Sequence, residues 1–166
     1  MLKAVNLYSL VALGSQYVVV LEEIDGPRLI PIWIGPAEGN SIAMFLNQVQ
    51  LPRPMTHDLM INMLSILKTK ISKVVITELK ESTFYASIYL EQNSAVEEID
   101  ARPSDSIAIA LRARAPLFVD DKVFDQCEPL LKPISKEEVD DFKNKLTDLK
   151  PQDIYKDIQK PPENSH

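Results

Sequence analysis

Cysteine is almost missing from this chain. Of its 166 residues only Cys127 carries a thiol. A single thiol excludes an intramolecular disulfide framework and any cysteine-rich zinc site. With an N-terminus that does not resemble a signal peptide, it points to a reducing cytoplasm. Histidine is scarcer than its count of 2 suggests, because His166 is the last residue and leaves His57 as the one internal imidazole. A two-histidine acid–base ribonuclease site therefore cannot be built within one chain. The His57-Asp58 pair also lacks the further histidines of a metal phosphohydrolase. Glycine numbers 4, with none after Gly39, so neither a GxxxxGK nor a GxGxxG phosphate loop is present. A Ser-His-Asp triad would have to use His57, and no serine sits in a GxSxG turn. No apolar run approaches the roughly 18 residues that span a bilayer, so no membrane partner is expected. Positive charge is short as well: 18 basic against 24 acidic side chains, a net charge of -6. The acidic excess is spread along the chain. It disfavours tight, salt-driven coating of a duplex and leaves weak, local capture of nucleic acid.

What is present is ordinary globular material, 45% apolar and 25% charged, in a length that buries a core. The first third reads as strands: an alternation through Val5 to Val11, a β-branched run from Tyr17 to Leu21, and Arg28 to Ile34. Pro31 inside the last of these marks an edge strand or a bulge. Pro36 opens a helix carried by Ile42, Ala43, Leu46 and Val49. Thr56 suits the N-cap of a second helix, whose Leu59, Met60, Met63, Leu64 and Leu67 predict a well-buried element. Strands follow at 73–79, 83–91 and 96–101, then a helix from Pro103 to about Arg114. A short strand at 117–119 and a helix capped by Asp120 or Asp121 complete this part. Pro129 and Pro133 mark a linker, Val139, Phe142, Leu146 and Leu149 an amphipathic helix at about 136–149, and 151–166 a frayed tail.

A weak internal repeat relates Pro36-Ala37-Glu38 to Pro103-Ser104-Asp105 at an offset of 67 residues. It reads as duplication of a strand–strand–helix–helix unit. The expected fold class is α+β, with mixed or antiparallel strands and interspersed helices.

Four polar groupings could carry chemistry. Thr56-His57-Asp58 is explained as a helix start except for His57, which an exposed first-turn position does not require and which titrates near neutrality. Asp100-Ala101-Arg102-Pro103-Ser104-Asp105 gathers both signs of charge where a strand meets a helix N-terminus, a place where anions bind. The guanidinium of Arg102 suits a phosphate, although a structural ion pair of Arg102 with Asp105 or Asp100 is by itself the slightly better explanation of the pattern. Glu38 is the repeat counterpart of Asp105 and by itself matches a helix dipole. Glu78-Leu79-Lys80 is the acid-x-lysine element of many metal-dependent nucleases, but Asp58, the partner acid, opens a helix rather than ending a strand. Lys68, Lys70, Lys73, Lys80, Arg112 and Arg114 read mostly as cations at helix C-termini. Met44, Met55, Met60 and Met63 read as core filler.

Four strings now stand in register: Pro31-Ile32-Trp33-Ile34-Gly35-Pro36-Ala37-Glu38, Arg53-Pro54-Met55-Thr56-His57-Asp58-Leu59, Thr83-Phe84-Tyr85-Ala86, and Ile99 through Ala108. Together they resemble the successive motifs of the bifunctional nuclease domain family, across residues 1–130. Residues 131–166 would then be linker, helix and tail. The resemblance implies an α+β domain and a nuclease acting on DNA and RNA with low sequence specificity. It places the family's polar positions on Glu38, His57, Asp58, Asp100, Arg102 and Asp105, without a settled mechanism. Joined to the residue reading, it gives one expected cleft. Glu38, Asp58 and Asp105 gather there, with a divalent cation such as Mg or Mn. His57 acts as general acid or base, and Arg102, Arg53 and Asp100 hold substrate. The competing expectation is a non-enzymatic homo-oligomeric scaffold or regulatory module whose charged motifs are structural ion pairs.

Overall fold

The computed structural model describes residues 1–133 and 135–156. Its strands are β1 (Leu2–Leu13), β2 (Gln16–Glu23), β3 (Arg28–Ile34), β4 (Lys70–Lys80), β5 (Thr83–Gln92), β6 (Ala95–Ala101), β7 (Leu117–Asp120) and β8 (Leu130–Leu131). Its helices are α1 (Pro36–Leu46), α2 (Thr56–Ile66), α3 (Pro103–Ala113), α4 (Asp121–Asp125), α5 (Lys136–Asp148) and α6 (Pro151–Ile154). All eight strands form one sheet in the order β6-β5-β4-β7-β1-β2-β3-β8. Only β4 and β7 run parallel; the other neighbours are antiparallel.

The order has a plain internal logic. Two three-stranded meanders, β1-β2-β3 and β4-β5-β6, lie on either side of β7. Each is followed at once by a proline-opened helix, α1 or α3. The repeating unit is thus three strands and a helix, where the sequence suggested a strand pair. β7 has no counterpart in the first unit.

The β-branched run in β2 is unbroken because both faces of that strand are covered. Val19 and Leu21 face the main core, with Ile30, Ile32, Ile76, Ile107 and Val119. Val18 and Val20 face a smaller core closed by Phe142 and Leu146 of α5. Burying two such side chains contributes roughly 1.5–3 kcal/mol each, which docks an otherwise polar helix. Pro31 is tolerated because β8 pairs only with Arg28 and Leu29, so no neighbouring strand requires an N–H from the proline on the outer side of β3. Gly39 lets α1 lie directly on β2, where a Cβ would enter the Tyr17 ring.

Several expectations fail. α1 ends at Leu46, before Val49. Thr56 is the first residue of α2 and Met55 is its cap. Most consequentially, α2 is not well buried. Its inner side, with His57, Ile61 and Leu64, faces the body, but Leu59, Met60, Met63, Ile66 and Leu67 point to solvent, with Met63 53% and Ile66 81% exposed. Met55 is exposed too, so three of the four methionines taken for core filler lie on the surface. A helix apolar on all sides implies burial, and the described residues supply no cover for the second side. Residues 151–156, assigned to a frayed tail, instead form α6 and bury Ile154 and Tyr155. The remainder of that tail, 157–166, lies outside the described residues.

Candidate functional site

Three helix N-termini converge, because α1 and α2 both pack on α3. At each of them the third helical residue is an acid: Glu38, Asp58 and Asp105. The positive ends of the helix dipoles favour carboxylates there. Proline opens α1 and α3, where its missing N–H costs nothing. In α3 the cap position is Arg102 in extended conformation, which aims its side chain back across the first turn.

One hydrogen-bonded chain joins these acids. Arg102 donates from Nε to Asp105 Oδ2 at 2.9 Å and from Nη2 to Glu38 Oε1 at 2.9 Å. Asp105 Oδ1 accepts from His57 Nε2 at 2.9 Å. On the other side of the imidazole, Nδ1 lies 2.7 Å from Ser41 Oγ. Arg112 donates to Ser41 Oγ at 3.0 Å and to Ser41 O at 3.1 Å, and its Nε donates to Asp58 Oδ1 at 2.8 Å. Asp58 Oδ2 accepts from the Met55 N–H at 3.0 Å. A carboxylate can only accept, so the ring donates from Nε2 to Asp105 Oδ1, and Nδ1 pairs with the Ser41 hydroxyl.

The cluster has a buried half and an open half. His57 is 6% exposed and the Arg112 side chain 7%. These two tie α1, α2 and α3 into one unit. The Arg102 side chain is 64% exposed, so its guanidinium meets solvent even while two carboxylates hold it. Electrostatics follow the geometry. Burial works to raise Asp105, but the hydrogen bonds from His57 and Arg102 and the charge of Arg102 outweigh it and leave the carboxyl below its ordinary value. The Arg112 hydrogen bond, opposed by desolvation, likewise lowers Asp58. Asp105 and then Glu38 raise Arg102, so it stays cationic.

Of the residues singled out from the sequence, Glu38, His57, Asp58, Arg102 and Asp105 are brought together. His57 is not the exposed first-turn residue expected, because its ring turns inward between α1 and α3. Asp100 and Arg53 are not in the chain of contacts. Asp100 is exposed on β6 opposite Ser87, and the carboxylate that holds Arg102 is Asp105. Arg53 is exposed in the loop between α1 and α2. Glu78 and Lys80 lie exposed on β4, and Asp58 is committed to Arg112 and Met55, so the acid-x-lysine reading gains no partner acid. Two members were missed, Ser41 and Arg112. Arg112 does stand in the last turn of α3, where it donates to Ala108 O at 3.1 Å, but it is also a buried clip between α1, α2 and α3. The available signal was spacing: Ser41 falls one turn after Glu38, and Arg112 two turns after Asp105, each on the same helix face.

Ser41, His57 and Asp105 touch in the order of a hydrolase triad, but the hydroxyl is buried and accepts from Arg112. It is a positioning group rather than a nucleophile. Nor do the acids assemble a metal site. Among the described residues no three His, Cys, Asp or Glu side chains group to hold an ion, and the carboxylates are neutralised by arginines instead. A resident divalent cation does not fit this donor set.

A family model described as a bifunctional nuclease domain matches residues 19–131. An uncharacterized protein of Mycobacterium tuberculosis is 37% identical over 149 residues, spanning 84% of this chain and 89% of that protein. A protein named bifunctional nuclease 1 in Oryza sativa subsp. japonica is 28% identical over 114 residues, 66% of this chain but 34% of the rice protein. No helix among the described residues is long and apolar enough to cross a membrane.

Proposed function

The chain belongs to the bifunctional nuclease domain family, and from that premise we propose that it hydrolyses phosphodiester bonds of nucleic acid with low sequence specificity. The observation that carries the reading is Arg102, a solvent-facing guanidinium held in place by Glu38 and Asp105 at two joined helix N-termini. An arginine fixed in this way presents its remaining N–H groups to a phosphate without losing side-chain freedom on binding. Hydrolysis adds the hydroxyl of water to phosphorus and its proton to the departing sugar oxygen. Glu38 is the group to orient that water, since Arg102 occupies only its Oε1. His57 acts through Asp105: both ring nitrogens are engaged, so it holds the carboxylate and thereby Arg102. This replaces the role of general acid or base that its chemistry suggested.

The test is cleavage of single- and double-stranded DNA and RNA by the full chain, with and without Mg²⁺ or Mn²⁺, beside Arg102→Ala and Glu38→Gln. Loss of one developing-charge contact costs on the order of a hundredfold or more in rate. Cleavage that persists at full rate in Arg102→Ala would remove the reading.

A second reading, self-association, is favoured by the solvent-facing stripe of α2. Together with Phe45, Leu46, Val49, Leu51 and Met55, all exposed, it makes an apolar surface that the described residues leave uncovered, of the kind that marks interaction sites. We infer a twofold dimer through α2, whose stripe is self-complementary when two copies cross antiparallel. Light scattering of Leu59→Glu/Met63→Glu should then report a smaller particle than the unaltered chain. An unaltered chain that is already monomeric overturns this.

A further inference from the structure

A concavity of about 340 Å³ opens immediately beside Arg102, within the size range of small-ligand sites. Its walls include Trp33, Gly35, Thr83, Phe84 and Tyr155, and Arg102 stands among them. Three aromatic rings therefore share a hollow with the cation that the preceding reading assigns to phosphate.

The aromatic wall is fixed. Tyr155 is buried and its hydroxyl donates to Pro31 O at 2.9 Å. Its ring meets Trp33 edge-on at 5.7 Å and Phe84 edge-on at 5.1 Å. Trp33 and Phe84 are only partly buried, so each keeps ring surface facing the hollow or solvent. Trp33 is the penultimate residue of β3 and lies three residues before Pro36, so it is tied to the same helix start as Glu38. Phe84 is held by the β4–β5 turn, and Arg102 by its two carboxylates. Three separate elements thus present two rings and one cation without further ordering.

The chemistry that matches is a nucleotide unit. A base offers a flat π-face to aromatic walls, and its own phosphate offers the anion. A duplex keeps its bases stacked and withdrawn, so the unit must come from an unpaired strand. An acidic net charge of -6 adds to the case, because affinity then has to come from stacking more than from counterion release. We propose that this hollow is a base-stacking subsite for single-stranded nucleic acid, taking one unstacked base against Trp33 and Phe84 while Arg102 holds the adjoining phosphate. It rests on the assignment of Arg102 to a phosphodiester and names the substrate form that the assignment leaves open.

Trp33 is the only tryptophan, so its emission reports on this hollow alone. The full chain would be titrated with an end-labelled ten-nucleotide oligothymidylate, the same length of abasic strand, and a duplex. Label anisotropy reads binding and Trp33 emission reads stacking. The expected result is saturable quenching by the thymidylate and none by the abasic strand. Phe84→Leu, which keeps an apolar contact on Tyr155, should weaken thymidylate binding on the order of tenfold, while circular dichroism at the assay temperature still reports a folded chain. If both strands bind equally, with unchanged emission and dependence on Arg102, the subsite is overturned and the phosphate assignment stands. If no strand binds, both fall. If the duplex quenches as well as the single strand, the restriction to unpaired strands is overturned.

Discussion

Asp105 accepts from an imidazole on one oxygen and a guanidinium on the other, and that double engagement has a pH signature. Its carboxyl lies below the ordinary 3.8 in the folded protein. The stabilisation it gives is therefore present above that value and lost as pH falls through the depressed folded value. Asp58 acts in the same direction through Arg112. Asp105→Asn should lower the melting temperature at neutral pH and flatten its fall below about pH 4. Melting followed by circular dichroism across pH 2–7 checks this, and an unchanged acid limb would show that the pair contributes nothing. Ser41→Ala tests the buried side. It leaves His57 Nδ1 and one Arg112 N–H without the hydroxyl, at a cost of about 1–3 kcal/mol. At this scale the sequence displayed the acids but not their partners. Glu38, Asp58 and Asp105 sit at third helical positions, which proline and cap chemistry reveal. Ser41 and Arg112 look like any interior helix residues until the packing of α1 on α3 brings them together.

Elements were most legible where periodicity and punctuation agree. The strands at 73–79, 83–91 and 96–101 are of this kind, and the hairpins that join them turn at Glu81-Ser82 and Asn93-Ser94, four residues that all adopt positive φ. With no glycine after Gly39, L-residues take conformations that cost roughly 1–2 kcal/mol each. Ser94→Gly creates the Asn-Gly pair that this turn type prefers, and it should raise stability by about 1 kcal/mol in chemical denaturation. A lower denaturation midpoint would show that the serine makes a compensating contact. α2 was misread for a physical reason. Its apolar residues do recur at helical spacing, but spacing tells only that faces are apolar, not that this chain covers them. The ordering of 151–156 was hidden similarly. Two apolar residues, Ile154 and Tyr155, dock it, through a Cys127–Tyr155 bridge and the Pro31 carbonyl. Both are long-range contacts that no local pattern in a polar, proline-bearing segment announces.

At the scale of the molecule, the α+β class and the repeat offset of 67 residues were readable, and the arrangement of the two units about β7 was not. Strand pairing across a hundred residues leaves no local trace. That pairing also sets a timetable. β7 joins Leu2 to Asp120 on one side and Val74 to Leu117 on the other. Until residue 120 has been synthesised, the facing edges of β1 and β4 both stand open, each with unpaired backbone groups that template association. Val119, fully buried in this seam, is the residue to probe. Val119→Ala should slow refolding as well as speed unfolding in stopped-flow experiments monitored by Trp33, because such non-local closure limits the rate. An effect confined to unfolding would place closure after the barrier. The two meanders can thus form early and independently on the ribosome, but they are joined late and from the middle, by four residues that arrive after both halves are waiting, with only the two-residue β8 left to add at the edge.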